Sequence, residues 1–550
     1  MKRSYLALIS LALLLSACGE NNNQSSSVSS SEIEEIPSSL LTPSSSEEGK
    51  PSSSSSESIQ QDIELTYEIG ISGDEAVLKK AKGNGNVAHI PSTYNGKTIT
   101  RILDNAFDGK TKLTKVVIPE GVVEIGKDAF NGCTNLEDIT LPSSIRKIGV
   151  RAFANIPYIS KIIIPEGVEE IGDTAFSGDK NLAEISLPNS LKWIGSNVFS
   201  SEKLKTKVFN MIQYLGNETN PYLLAYKLDS RNLAPTSASF NKNTRFIGGS
   251  LFEGEKNLAK VTLNEGLYAI GNSAFRSCPI EDITIPSTVE VIGAYSFSSC
   301  AQLKACVING NSLKNIMHEA FSGAGVLESI SIPSSVEEIG FYAFNEFGSS
   351  SELKYNEKDG GLYLGNETNP YHALIGLKDY SITSFNIADT CVVLAAQCLR
   401  DAKGISSLSI PTTVKSIGES AFFQMTSLTE ATIPSTVEMM GGNLFNSCGK
   451  ITKIILNNAP TVLETGFAQS CPNLTSFVIP SSVRKLETGL FDRDESLTEL
   501  VIPSSILEIK KGAVATCKNL VLNIEADDDL YLYETDWFSG VKSYNYGYSK

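Results

Sequence analysis

Ten cysteines, three histidines and several paired carboxylates are the side chains that could do chemistry in this chain. A Ser-His-Asp or Cys-His site needs a histidine beside a nucleophile. His89, His318 and His372 are scattered. No Gly-x-Ser-x-Gly, His-Glu-x-x-His or phosphate loop is present. Asp527-Asp528-Asp529 lacks the spaced ligands of a calcium loop. Glu169-Glu170 and Glu337-Glu338 recur at one place in a repeat, which makes them surface charge and not a glycosidase pair. Cys133, Cys278, Cys300 and Cys448 each sit three residues after a recurring aromatic, and Cys471 and Cys517 hold a similar place. Other copies of that slot hold Lys110, Ile156, Asp179, Ala324 or Met425, so the slot reads as packing. Cys278 with Cys300, and Cys448 with Cys471, fall on neighbouring turns, where a disulfide is the alternative. The expectation is a non-enzyme with no catalytic residue, no metal site and no cofactor.

Cys18 is different. Lys2 and Arg3 form a positive start, and Leu6 to Leu15 is almost wholly apolar. That run is too short to cross a bilayer as a helix, and no stop-transfer pattern follows it. It ends Leu15-Ser16-Ala17-Cys18-Gly19. This resembles a bacterial lipobox, which implies cleavage after Ala17 and a lipid on Cys18. An ordinary secretory signal with an incidental cysteine is the alternative. Residues 1–17 are therefore expected to be a lipoprotein signal peptide. Residues 18–61, with Ser25-Ser26-Ser27, Ser44-Ser45-Ser46 and Ser52 to Ser56, are expected to be a disordered tether. Such a stretch cannot bury enough apolar surface to offset its ordering entropy.

These side chains are carried by a short repeat. Ala106-Phe107, Ala129-Phe130, Ala152-Phe153 and Ala175-Phe176 step by 23 residues. Before each pair runs apolar-x-x-apolar-x-apolar-Pro, as in Leu113, Val116, Ile118 and Pro119. The last two apolar residues alternate as in a half-buried strand, and proline ends it because it cannot donate to a ladder. Val122, Ile125 and Gly126 predict a second extended piece, closed by a glycine at positive φ. A single unit cannot bury its apolar side chains alone, so units must stack as a solenoid. The period breaks twice, near 201–240 and 347–386. Each break contains Tyr-Leu-Gly-Asn-Glu-Thr-Asn-Pro-Tyr, at Tyr214 to Tyr222 and again at Tyr363 to Tyr371, 149 positions on. The tyrosines and Asn-Pro turns are read as plugs for the interruption, with protruding contact loops as the other reading. The array is placed at 62–517, with a β cap over 62–88 and an aromatic-rich C-terminal cap over 518–550. The third run is read through Ala421-Phe422, Leu444-Phe445, Gly466-Phe467 and Leu490-Phe491. Asn264, Asn309 and Asn457 replace the strand-ending proline, which predicts looser turns there.

The frame Leu-x-x-Ile-x-Ile-Pro-x-x-Val-x-x-Ile-Gly-x-x-Ala-Phe-x-x-Cys resembles the BspA-like leucine-rich repeat family of bacterial surface proteins. The resemblance implies a mainly β, right-handed leucine-rich-repeat solenoid of ~23-residue units with two insertions and end caps. It also implies display at the bacterial cell surface and binding of a protein or glycan ligand for adhesion. The expected partners are the membrane, through the N-terminal lipid, and an extracellular protein or glycan. A structural spacer or coat lipoprotein without a specific ligand is the alternative. The balance of 62 Asp plus Glu against 46 Lys plus Arg argues against nucleic acid, since no basic stripe is available to displace phosphate counterions. Ligand contacts are expected at free strand positions such as Lys115, Asp138, Lys161 and Glu184.

Fatty-acid labelling in a bacterial host tests the lipid. The chain should take up label and sediment with membranes, and Cys18→Ala should do neither. A labelled Cys18→Ala chain would refute the assignment.

Overall fold

The structure is a computed structural model. It describes residues 64–229, 234–344, 353–457, 460–525, 532–533 and 537–548. The signal peptide, Cys18, the tether and Asp527-Asp528-Asp529 lie outside the described residues. Met1–Ile63 and Glu64–Lys550 form separate units, and the described residues belong to the second.

Every regular element among the described residues is β. About 19 turns of ~23 residues stack into a solenoid. Each turn pairs with the next along three sides. On the first side short strands align in parallel, Lys115 with Asp138 and Val116 with Ile139. On the second, Ile125, Ile148, Ile171 and Ile194 follow one another in register. The third side is a tight turn, not a strand, yet it also forms a ladder. The Phe107 N–H donates to Ala129 O at 2.7 Å, Phe130 to Ala152 at 2.8 Å, and Phe153 to Ala175 at 2.9 Å.

The repeat residues explain this shape. Phenylalanines stack in a buried column: centroids are 4.6 Å apart for Phe107–Phe130, 5.3 Å for Phe130–Phe153 and 5.4 Å for Phe153–Phe176. Each fully buried ring contributes roughly 1.5–3 kcal/mol. The glycine expected at positive φ is not there for that reason. Positive φ falls two residues later, at Asp128 (56°), Arg151 (51°) and Thr174 (53°). Gly126, Gly149 and Gly172 are needed because successive backbones nearly touch at that corner. A Cβ on Gly149 would lie 2.6 Å from the carbonyl carbon of Gly126.

Three local expectations change. Phe467 takes the alanine slot, where it accepts the Phe445 N–H at 2.8 Å, and Ala468 takes the ring position. The space is filled from the first side by Phe477, whose ring lies 5.0 Å from Phe491. At Asn309 and Asn457 the asparagine in place of proline adds a bond between turns, because its N–H can donate. Asn309 donates to Ile285 O at 3.0 Å, and Asn457 to Ile433 O at 3.1 Å. The pattern fades after Lys518, but pairing does not: Val521–Ile524 aligns with Ser543–Asn545. At the other end, Thr66–Ser72 and Glu75–Lys82 form an antiparallel hairpin that leads into the parallel ladder. Arg101 of an early turn also meets Glu508 of a late one at 3.0 Å. Lys485 at 3.7 Å and Lys510 at 3.1 Å add two more cations, and against its burial these three charges, Lys485 foremost, hold the Glu508 carboxyl down at about 2.

The cysteine slot has a role that its composition did not reveal. The nine described cysteines are buried and free. No bridge joins Cys278 to Cys300 or Cys448 to Cys471. Instead each repeat thiol donates back to the phenylalanine carbonyl of the preceding turn. Cys133 reaches Phe107 O at 3.2 Å, Cys448 reaches Phe422 O at 3.1 Å and Cys517 reaches Phe491 O at 2.8 Å. Burial pushes the Cys133, Cys448 and Cys517 thiols up to about 12, which removes their reactivity. Two turns place aspartate in this slot. Asp179 Oδ1 accepts the Ile156 N–H at 2.7 Å, and Asp494 Oδ1 accepts that of Cys471 at 2.6 Å. In both, Oδ2 is buried without a partner. Burial pushes Asp179 up to about 8 and Asp494 up to about 9.

A carboxyl raised this way keeps its proton in the folded chain and loses it on unfolding at neutral pH. Its contribution to stability is present near pH 4 and is lost as pH rises through about 8 to 9. Thermal melts should therefore show stability falling by more than about 1 kcal/mol per residue between about pH 5 and pH 8. Asp179→Asn and Asp494→Asn keep the Oδ1 acceptor and should flatten that slope. An unchanged slope in the double variant would contradict this account.

Candidate ligand-binding face

The three histidines are placed for structure. His89 is exposed and pairs with Glu64 at 2.7 Å. His318 is buried between Tyr295 and Phe341, with both ring centroids 4.9 Å away, and burial pushes it down to about 4. His372 is buried with Nε2 2.9 Å from Val336 O. Among the described residues, no group of three or more His, Cys, Asp or Glu side chains could hold a metal ion.

The first strand side is the open surface. On the second side the outward positions are half-buried, as at Glu124, Lys147 and Val462, or buried, as at Phe246, Ala269, Val291, Asn315, Val393 and Ser416. On the first side Lys115, Asp138 and Lys161 are exposed and Glu184 is half-buried. The structure brings these four together as expected of one ladder, but it pairs them with each other. Lys115 meets Asp138 at 2.8 Å and Lys161 meets Glu184 at 3.5 Å. Lys304–Glu281 at 3.5 Å and Lys354–Glu328 at 3.2 Å continue the habit. Each exposed pair is worth about 0–1 kcal/mol, so these charges mainly cancel one another along the ladder.

The positions two residues further along stay free of such pairing. They are exposed hydroxyls at Thr140, Thr262, Thr284 and Thr432, interspersed with aliphatics. Ile163 is 59% exposed, Val307 52% and Val478 74%. Sequence reasoning passes over this row because the alternation predicts polar residues there. The signal is in plain view: an apolar residue at a slot whose other copies are Thr or Ser.

The two nine-residue motifs form brackets between turns. Each lies in an antiparallel hairpin, Ile212–Leu215 with Leu224–Leu228 and Gly361–Leu364 with Ala373–Leu377. Asn217 Oδ1 accepts the N–H groups of Thr219 at 3.0 Å and Asn220 at 2.7 Å, while its Nδ2 donates to Leu187 O at 2.7 Å. Asn366 repeats the set with Thr368 and Asn369, both at 3.0 Å, and reaches Ile332 O at 3.4 Å. Asn220 and Asn369 donate forward, to Asn243 O at 2.9 Å and Thr390 O at 2.8 Å. A Cβ on Gly216 or Gly365 would overlap the carbonyl oxygen of Asn220 or Asn369. Tyr222 and Tyr371 pack edge-on to Tyr214 and Tyr363, each at 5.5 Å. The geometry matches the plug reading, since the asparagines and tyrosines are engaged inward.

Asn217→Ala and Asn366→Ala should each cost about 1 kcal/mol, because the half-buried Asn220 and Asn369 N–H groups lose their acceptor. Hydrogen exchange should rise in the flanking turns. Unchanged exchange with lost ligand binding would reverse the assignment to contact loops.

A family model, the BspA type leucine rich repeat region in six copies, matches residues 100–220, 231–351 and 380–521. Among solved structures the chain is similar to a leucine-rich repeat protein from Bacteroides ovatus, 21% identical over 88% of this chain and 92% of that one, with a TM-score of 0.27. It is similar to a leucine rich cell surface protein from Faecalibacterium prausnitzii, 21% identical over 84% and 96%, with a TM-score of 0.26. The pneumococcal vaccine antigen PcpA is 15% identical over 88% and 98%, with a TM-score of 0.25. Comparison with curated proteins finds no match. With more than half of its residues inside the family model, this chain belongs to the BspA type leucine-rich repeat family.

Proposed function

We propose that this chain is a non-catalytic, lipid-anchored protein of the bacterial cell surface that binds a protein or glycan through its first strand side, for adhesion. The observation that carries this reading is the exposed row of Thr, Val and Ile side chains running beside self-paired charges. A broad face of this kind suits a large ligand held by shape and apolar contact more than by net charge. Neutralised charges also suit a ligand reached at the salt concentration outside a cell, where unpaired surface charges are screened within about 8 Å. Cys18 supports anchoring, and the acidic, Ser-rich residues 18–61 support holding the solenoid away from the membrane.

The spacer reading has one observation in its favour, the same charge pairing, which leaves fewer groups free for recognition. A host-protein and glycan array probed with the Cys18→Ala chain separates the two. Saturable binding should appear and should weaken by about tenfold or more in Ile163→Lys or Val478→Lys, with the melting temperature unchanged. No saturable binding across a broad panel would leave the spacer reading standing.

A further inference from the structure

A stack held by contacts between neighbouring turns gives its first and last turns no reason to meet. Here they meet. The tip of the N-terminal hairpin reaches a late turn: a Cβ on Gly73 would lie 3.2 Å from Leu507 Cδ2. The strand Thr66–Ser72 runs beside Leu532–Tyr533. Arg101 Nη1 donates to Glu508 Oε2 at 3.0 Å, across 407 residues of sequence. The two side chains are 22% and 7% exposed, so both ions are taken largely out of water. Desolvation on that scale is offset only by a well-fitted set of opposite charges.

The second side supplies that fit. Arg101, Glu124, Lys147 and Glu170 follow one another in register there, with alternating sign. Near the other end Lys485 and Glu508 begin the same alternation. The next turn of that ladder brings Leu532, which carries no charge. Arg101 brings the next cation instead, so the alternation runs through the seam from Lys485 to Glu170. Asp74 and Glu75 of the hairpin line a cavity of about 320 Å³ in the seam, together with Arg484 and Lys485 of the late turns. Around the central pair, acidic residues thus come from one end of the chain and basic residues from the other. Lys510 at 3.1 Å from Glu508, and Glu487 at 2.5 Å from Lys485, complete the set.

We propose that this seam is a clasp, a conformational device that closes the stack end to end and holds it at one curvature. Each end then supports the other, so the two open together and do not fray separately as the ends of a linear stack would. The clasp also reaches the first strand side. Fixed curvature keeps constant spacing along the exposed row that includes Val117, Ile163 and Val478.

Hydrogen exchange in the full chain in detergent tests the clasp, because its halves lie far apart in sequence. Glu508→Gln should raise exchange by about tenfold or more at the opposite end, in residues 66–82. Arg101→Met should raise it by about as much in residues 499–515. The two effects should not add in the double variant, since the same contact is lost in each. In the unaltered chain a lysine-to-lysine cross-linker should join Lys97, whose ammonium donates to Gly73 O, to Lys510 or the exposed Lys511. Mixing isotopically heavy and light chains shows whether that link lies within one copy. The proposal is overturned by exchange that rises only around the substituted residue, by absence of the link within one chain, or by a link formed only between copies. The cross-link decides even where a variant fails to fold.

Discussion

Each turn of this chain completes its hydrogen bonds only on the next turn, at the residue 23 positions on. That requirement is the constraint the rest of the structure obeys. A backbone donor left unpaired in the interior is costly, so all three sides of a turn must keep register together. Identical side chains are then carried into columns, and the column decides which residue fits. Phenylalanine stacks on phenylalanine at 4.6 to 5.4 Å along the early turns. Glycine is confined to the corner where one backbone almost touches the last. The thiol of Cys133 fits because it caps the carbonyl of Phe107, and Asp179 fits the same slot because it can accept a backbone N–H instead.

Much of this is legible from spacing alone, because a strict period projects directly onto a stack. The 23-residue step, the strand before each proline and the inward Ala-Phe pair all correspond to observed positions. What spacing cannot show is why a residue holds its place. Gly126 reads in the sequence as a torsion residue, although its reason is contact with a neighbour 23 residues away. Phe467 reads as one more ring of the column, yet its turn slips by one residue and the ring comes from Phe477. The C-terminal ladder through Asn545 is invisible in the sequence because main-chain pairing needs no particular side chain.

The candidate face is only half legible for a related reason. Lys115, Asp138, Lys161 and Glu184 are free of the packing frame, and freedom from the frame is the only clue to recognition that the sequence offers. A stacked architecture offers such residues a second use, because each faces its counterpart on the next turn. Alternating sign along the ladder turns a row of potential contacts into a row of ion pairs. The neighbouring row has no such use. An exposed Ile163 or Val478 gains nothing from its vertical neighbour that Thr140 does not, so its apolar character is the less expected observation.

The duplicated insertions bear on where difference accumulates. Nine residues are identical in the two copies, and they make the same bracket with the same partners by type. Both copies preserve the second ladder, through Leu224–Ala225 and Ala373–Leu374. Continuity of the stack through both insertions is thus carried by the second side, as suits a fold stabilised by nearest-neighbour contacts. The copies part company just after the motif. Tyr226 sends its hydroxyl back to Phe199 O on the preceding turn, while Tyr380 sends its hydroxyl forward to Cys398 O on the following turn. One motif thus holds two different interiors. The residues that look most distinctive in the sequence are the ones fixed by structure, and the variable residues behind them decide which neighbouring turn each insertion engages.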